Sequence, residues 1–335
     1  MTAKKQTIGV VGAGRMGTGL AQVFAYRGYN VALVDSKERT FEEKGRVLDK
    51  AEKQIEAHLS FLQSVSALPS FSVEKVRSRI KYYGASQLEE ALQNADVIFE
   101  AVPEVLDVKK AAFHRINAAV REDALIASTT SSFLVDTLAG YVMHPARFMN
   151  THWLNPAYLI PLVEVSPGNE TDPMVMACMM TLLTEAGKVP VKCAASPGFI
   201  VPRIQALAMN EAARLVEEGI ASPDDIDKAS RIGFGLRFAV LGLLEFIDWG
   251  GGDVLYYASN YLKEELKAER YTPPDIIMEH MDTGKTGLKS GKGFYDFSQC
   301  DVSEYQRETL RKFVDLLYHL QLMALPADVM EETVK

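Results

Sequence analysis

The chain has 335 residues, of which 47% are hydrophobic and 24% are charged, and its formal net charge is −8. This length predicts two domains, and the acidic balance argues against a nucleic-acid partner, which needs a basic face. No apolar run approaches the roughly 20 residues of a membrane span. The three cysteines show no metal-ligand spacing, and we expect reduced thiols in a cytoplasmic protein without a signal peptide.

The first thirty-five residues have the pattern strand, glycine turn, helix, strand. The segment TIGVVGAGRMGTG places Gly12, Gly14 and Gly17 as GxGxxG between an apolar run and a helix. The first glycine permits a tight turn, the second lets the backbone approach a pyrophosphate, and the third lets the helix pack close to the strand. The segment therefore predicts a dinucleotide site.

Asp35 closes the second strand and predicts which dinucleotide binds. It stands eighteen positions after Gly17. A carboxylate there accepts hydrogen bonds from the ribose hydroxyls and repels the 2′-phosphate of NADP, so the predicted cofactor is NAD. Lys37 and Arg39 leave a preference for NADP as the alternative.

The rest of the first half predicts an α/β fold with a doubly wound Rossmann sheet. Residues 37–80 are charged with helical spacing, and we expect a helical excursion inserted into the sheet. Its basic residues predict a solvated face, with contact to a phosphorylated substrate tail as the alternative. Strand-like runs then alternate with helical segments, and ligands bind such sheets at the carboxyl ends of the strands.

His152 and Glu164 stand in NTHWLNPAYLIPLVEV, within segments that otherwise read as buried strands. An unpaired carboxylate in a buried strand is unfavourable, so Glu164 is expected to have a partner, and the nearby group able to carry positive charge is His152. Such a pair gives a general base with a fixed tautomer. Beside NAD it predicts alcohol oxidation. The alternative is a structural histidine with a surface glutamate.

Seven segments in the same order resemble the L-3-hydroxyacyl-CoA dehydrogenase family over roughly residues 7–298. They are GVVGAGRMGTGLAQVFA, FEAVPEVLDVKKAAF, ASTTSSF, THWLNPAYLIPLVEV, SPGFIVPRI, NEAARLVEEGIASPDDIDKA and GLKSGKGFYDF. The resemblance implies an NAD-binding domain followed by an all-α domain that forms a homodimer. With the SPG segment at Ser196 as the boundary, we expect domains over residues 1–195 and 196–335.

The resemblance also implies roles for individual residues. Glu104 and Lys109 match cofactor-contact positions, and Ser131 matches a serine that contacts the substrate oxygens near the nicotinamide. Asn155 matches a residue that shapes the same pocket. His152 and Glu164 match the catalytic pair, and no metal ligand is implied.

Two departures leave the substrate open between a CoA thioester and a free hydroxy acid. Pro202 replaces an asparagine that is usual in the family, and proline offers neither a backbone donor nor a side-chain amide. The segment GFGLRFAVLG at 233–242 resembles the branch of gulonate (lambda-crystallin-like), carnitine and pyridine-carboxylate dehydrogenases. There Arg237 is able to bind a substrate carboxylate; the alternative is a surface or interface ion pair.

A relative that binds NAD without catalysis is the alternative from another functional class, and the intact Ser131, His152 and Glu164 argue against it.

Residues 303–335 extend beyond the resemblance and include an amphipathic helical stretch. We expect this tail to pack on its own subunit or on a partner.

Overall fold

The computed structural model describes residues 6–67, 69 and 72–323. These residues form two compact units that divide between Ala208 and Met209. The boundary that the sequence predicts between residues 195 and 196 stays a prediction.

The first unit contains one eight-stranded sheet in the order β3-β2-β1-β4-β5-β6-β7-β8. Neighbouring strands are parallel except for β6 and β7, which are antiparallel. The strands are β1 (Thr7–Val11), β2 (Asn30–Val34), β3 (Ile80–Tyr83), β4 (Val97–Glu100), β5 (Leu125–Ser128), β6 (Phe148–Trp153), β7 (Leu162–Pro167) and β8 (Val189–Lys192).

Helices cover both faces of this sheet, as the alternation of buried side chains along each strand requires. One face carries residues such as Val10 and Phe99, and the other carries Val11 and Ile98. The helices are α1 (Arg15–Tyr26), α2 (Phe41–Ser64), α3 (Ser72–Arg77), α4 (Leu88–Leu92), α5 (Leu106–Ala119), α6 (Val135–Ala139) and α7 (Pro173–Glu185). The predicted α/β class with a doubly wound Rossmann sheet is confirmed.

The helices α2 and α3 form the insertion between β2 and β3. Thr40 caps α2, and a capping box joins it to Glu43, so the helix start is fixed by its own sequence. Along α2, the apolar face buries Ala51, Ile55, Leu59 and Leu62 against the sheet core.

The antiparallel pairing of β6 and β7 sets the position of the two titratable groups that the sequence singles out. In its register His152 is the direct partner of Glu164. Directly opposite residues of antiparallel strands project on the same face with their Cβ atoms about 5 Å apart. Side chains from these two positions therefore meet.

The second unit is helical, and it buries few side chains. Its large hydrophobic residues with little exposure are Leu241, Ile277 and Phe297. The helices are α8 (Val201–Glu217), which begins in the first unit, α9 (Pro223–Lys228), α10 (Leu236–Val240), α11 (Leu243–Gly250), α12 (Gly252–Leu266), α13 (Asp275–Asp282) and α14 (Val302–His319). The predicted Rossmann sheet followed by an all-α part is confirmed.

The predicted C-terminal helix is α14, and it packs on its own chain. Tyr305 donates a hydrogen bond to Glu245 Oε1 over 2.7 Å, and its ring lies 5.7 Å from the ring of Trp249. The remainder of the predicted tail, 324–335, lies outside the described residues. Within the described ranges, no helix is both long and apolar enough to cross a membrane.

A fully buried ion pair lies behind the sheet rim. Lys109 Nζ contacts both carboxylate oxygens of Glu100 at 3.0 Å, and neither side chain is exposed. Ser128 Oγ also donates to Glu100. Breaking a buried pair is more damaging than replacing both partners, because one charge is left uncompensated.

We expect Lys109→Met to lower the free energy of unfolding by about 3–5 kcal/mol, measured by urea denaturation. Glu100→Gln combined with Lys109→Met should regain part of this loss, because no buried charge then lacks a partner. The exposed neighbour Lys110 supplies the control, and Lys110→Met should change stability by no more than about 0.5 kcal/mol. If Lys109→Met and Lys110→Met lower the free energy of unfolding equally, the buried ion pair has no special role in stability.

Candidate active site

The turn between β1 and α1 requires two of the three predicted glycines. Gly12 has φ +123°, and a Cβ on it would lie 2.4 Å from the carbonyl oxygen of Ala101. A Cβ on Gly17 would lie 1.7 Å from the carbonyl oxygen of Gly12. Both positions therefore exclude any side chain, which keeps the turn tight and α1 close to β1.

Gly14 is different, because a Cβ there would meet no atom within 4 Å. It is the N-cap of α1 and lines a cavity of about 980 Å³. A bare backbone facing open space at a helix N-terminus suits close approach of a phosphate. This part of the structure fits a bound dinucleotide.

The cavity follows the carboxyl ends of the strands. Gly12, Asp35, Ala101 and Thr129 each directly follow a strand, and all four line it. Asp35 is 5% exposed, and its Oδ2 accepts a hydrogen bond from Arg39 Nε over 2.5 Å. The acid predicted to bind ribose is thus at the cavity wall and already holds an arginine.

Glu104 lies in the loop after β4 and forms hydrogen bonds with the loop after β5. Its Oε1 accepts hydrogen bonds from Thr130 Oγ1 and from the backbone nitrogens of Ser131 and Ser132. Burial raises the pKa of Glu104, but the hydrogen bonds from Thr130 and Ser132 and the charge of Lys109 outweigh it and lower the pKa to about 2. Glu104 is therefore an anion throughout the physiological range.

Of the other residues predicted in this region, two line the cavity and one lies behind its wall. Ser131 and Asn155 line the cavity together with Glu104. Lys109 is not among the lining residues and contacts Glu100 and Glu104 from behind. Its role as a direct cofactor contact stays a prediction.

His152 and Glu164 form a buried hydrogen-bonded pair. His152 Nδ1 lies 2.7 Å from Glu164 Oε2, and the residues are 4% and 1% exposed. A carboxylate only accepts, so Nδ1 carries the proton that points at Glu164, and in the neutral imidazole Nε2 is the acceptor. Asn155, three residues after His152, lines the cavity.

Residues 198–201 supply further contacts to His152 and Glu164. The sequence analysis did not predict these contacts. The backbone nitrogens of Ile200 and Val201 donate to Glu164 Oε1 over 2.8 and 2.9 Å. The ring of Phe199 stacks on the imidazole with centroids 4.8 Å apart and planes 15° apart. Phe199 also has φ +48°, an uncommon conformation for a non-glycine residue. Gly198 in SPGF was the available signal for an unusual turn.

The two departures from the family pattern lie in α8 and α10. Pro202 is the second residue of α8, where a helix needs no backbone donor, so proline fits the helix start. Arg237 belongs to the second unit, where its Nε donates to the carbonyl of Gly233 over 2.6 Å and its guanidinium lies 5.0 Å from the Phe246 ring centroid. Its predicted substrate contact stays a prediction.

The sheet, the glycine turn and the cavity define a dinucleotide-binding protein. Residues 7–196 match the family model of the 3-hydroxyacyl-CoA dehydrogenase NAD binding domain, and residues 198–297 match the model of the C-terminal domain of the same enzymes. The chain therefore belongs to the 3-hydroxyacyl-CoA dehydrogenase family. The predicted class of NAD-dependent oxidoreductase acting on CH–OH groups is confirmed.

Relatives of both predicted branches are similar to this chain. A 5-formyl-3-hydroxy-2-methylpyridine 4-carboxylate 5-dehydrogenase of Mesorhizobium japonicum is 30% identical over 310 residues, which is 92% of this chain and 96% of the relative. A probable 3-hydroxybutyryl-CoA dehydrogenase of Deinococcus radiodurans is 32% identical over 86% of this chain and 99% of its own. The crystal structure of a 3-hydroxyacyl-CoA dehydrogenase from Archaeoglobus fulgidus matches with TM-score 0.75 and 31% identity, covering 95% and 100% of the two chains.

We expect Phe199→Leu to lower kcat for NAD reduction by up to about 100-fold, because the imidazole predicted to be the base would lose its position. Phe199→Tyr keeps the flat ring face and should retain most activity, while NADH binding should be unchanged in both. Phe113 is a buried phenylalanine of α5, and Phe113→Leu controls for lost packing. A similar loss of kcat in Phe113→Leu and Phe199→Leu would show that stacking on His152 is not required.

Proposed function

We propose that this protein oxidises the alcohol of an L-3-hydroxyacyl substrate to the 3-keto product, with His152 as the general base. The observation that carries the proposal is the buried pair of His152 and Glu164, three residues from the cavity-lining Asn155. The alcohol proton passes to His152 Nε2 as the carbonyl forms. NAD, when bound, supplies the hydride acceptor.

Glu164 is proposed to act through His152. Its charge orients the imidazole and stabilises the imidazolium that forms when the proton arrives. The two backbone donors of Ile200 and Val201 support this role, because their hydrogen bonds to Oε1 fix the position of the carboxylate.

The cofactor-binding set is proposed to be Gly12, Gly14, Gly17, Asp35 and Glu104, supported from behind by Lys109. The fit of the glycine turn to a phosphate and the position of Asp35 on the cavity wall support it. Ser131 and Asn155 are proposed as substrate contacts, since both line the same cavity and carry polar groups.

The leading candidate substrate is a CoA thioester of the 3-hydroxybutyryl type, because the chain belongs to the 3-hydroxyacyl-CoA dehydrogenase family. The second candidate is a small free hydroxy acid whose carboxylate Arg237 binds in a bidentate pair. The Mesorhizobium japonicum relative, named for a pyridine carboxylate, favours this candidate, as does the segment around Arg237.

We also propose a homodimer built on the helical unit. Along α12, Val254, Tyr257 and Tyr261 are 58%, 65% and 64% exposed. Their spacing puts them on one helix face, and contiguous apolar surface of this kind is typical of interfaces. A second copy would cover it.

We expect His152→Gln to reduce kcat by roughly 10²–10⁴-fold, the usual contribution of a general base. NADH binding should remain within about threefold of the parent protein, because His152 is not proposed to hold the cofactor. Stopped assays of turnover and fluorescence titration with NADH measure the two effects. Unchanged turnover would show that His152 is not the general base.

The substrate is tested by NADH formation with L-3-hydroxybutyryl-CoA and with free acids such as gulonate, carnitine and a hydroxymethyl pyridine carboxylate. The leading proposal expects turnover of the thioester and little effect of Arg237→Gln. If only a free acid is turned over, and Arg237→Gln raises its KM about tenfold or more, the second candidate replaces the first.

We expect the protein to elute as a dimer, with its mass measured by light scattering. Tyr257→Glu with Tyr261→Glu should shift it toward the monomer, because two charges would be buried in the interface. Met174→Glu, which adds a charge at an exposed apolar residue of α7 in the first unit, is the control and should leave the mass unchanged. A monomeric parent protein would refute the dimer.

A further inference from the structure

Lys188 is a buried lysine that has no acidic partner. The residue is 6% exposed and directly precedes β8. Its Nζ donates hydrogen bonds to the carbonyl oxygens of Ala157 and Ile160, the second over 2.9 Å, and lies 5.7 Å from the ring centroid of Trp153. Within the described part of the chain no carboxylate pairs with it, and burial lowers its pKa to about 8. At neutral pH the group is therefore an ammonium ion held by carbonyl groups.

The charge of this donor is more than the two carbonyl groups require. A charge taken out of water without a counter-ion is unfavourable, whereas a backbone N–H or a hydroxyl satisfies a carbonyl group at a smaller desolvation cost. What the lysine adds is reach, because its long side chain extends from the start of β8 to two carbonyl groups three residues apart in another segment. The placement of Lys188 therefore indicates that it holds that segment in position.

The segment that Lys188 holds is loop 154–161, which joins β6 to β7. Two backbone nitrogens within the loop donate to the carbonyl oxygen of Pro156 over 2.9 and 3.0 Å, so the loop forms its own turn without the lysine. Lys188 attaches this turn to the start of β8. A further contact is with α1, since a Cβ on Gly19 would lie 3.1 Å from the Cβ of Ala157.

The same loop carries a proposed substrate contact. Asn155 lines the cavity and lies in the chain between His152 and the carbonyl groups that Lys188 holds. His152 and Glu164 lie in the strands on either side of the loop, where they are fixed by the strand register and by their own hydrogen bond. A shift of the loop would therefore move Asn155 more than it moves the pair of His152 and Glu164.

We propose that Lys188 is a positioning residue, which anchors loop 154–161 to β8 and so sets the place of Asn155 against the substrate. Lys188 is not among the residues that line the cavity, so it acts through the loop. The glycine turn and Asp35 belong to other elements, and cofactor binding does not depend on this anchor. The inference rests on the proposed function, in which Asn155 contacts the substrate.

The test is steady-state kinetics with a substrate that the parent protein turns over, together with fluorescence titration of NADH. Lys188→Met removes the donors and should raise KM for the alcohol substrate roughly tenfold or more, because a displaced contact loses its geometry. The affinity for NADH should be unchanged. Lys188→Arg keeps the charge and the donors and should raise KM less. Lys192→Met removes an exposed lysine from β8 and is the matched control, which should leave KM unchanged.

A purely structural role for Lys188 predicts a different result. Lys188→Met would then lower the folded fraction, so kcat and the number of NADH sites would fall together at an unchanged KM, and an unchanged KM overturns the inference. If Lys188→Met does not fold, Gly19→Ala is the second test, because its Cβ presses on Ala157 and shifts the same loop. An unchanged KM in Gly19→Ala then overturns the inference. A parent protein that oxidises no candidate substrate refutes the proposed function, and the inference falls with it.

Discussion

A carboxylate that is 1% exposed must be compensated, and the candidate active site depends on how Glu164 meets this requirement. One oxygen faces the imidazole of His152, and the other accepts two backbone N–H groups at the start of α8. The antiparallel register of β6 and β7 brings the histidine to the glutamate. The same interactions that make the buried charge tolerable also fix the imidazole that we propose as the base.

The cofactor side obeys a different constraint, the lack of space between β1 and α1. Gly12 and Gly17 are required by contacts within the turn, whereas Gly14 leaves the backbone open to the cavity. Behind the rim, Glu104 ties two loops together and Glu100 pairs with Lys109. The loops at the strand ends are therefore held by hydrogen bonds to Glu104 and lie in front of a buried ion pair.

The sequence was sufficient for features that local spacing determines. The glycine turn, the position of Asp35 directly after β2, and the alternation of strands and helices follow from patterns within short segments. The pairing of His152 with Glu164 also follows, since a buried acid needs a partner wherever it lies. The support from Phe199, Ile200 and Val201 could not be predicted, because it depends on a turn that returns more than thirty residues later in the chain. The engagement of Asp35 by Arg39 was also missed; sequence gives the presence of the two charges but not their contact.

The central claim is that Glu164 holds the His152 proton on Nδ1 and leaves Nε2 free to accept. The most direct measurement is nuclear magnetic resonance of histidine labelled with a heavy nitrogen isotope, with the His152 signal identified by its absence in a variant lacking that histidine. For the neutral imidazole, the account predicts a single tautomer with a proton on Nδ1 and a bare Nε2. A neutral imidazole with its proton on Nε2, or a mixture of the two tautomers, would contradict it.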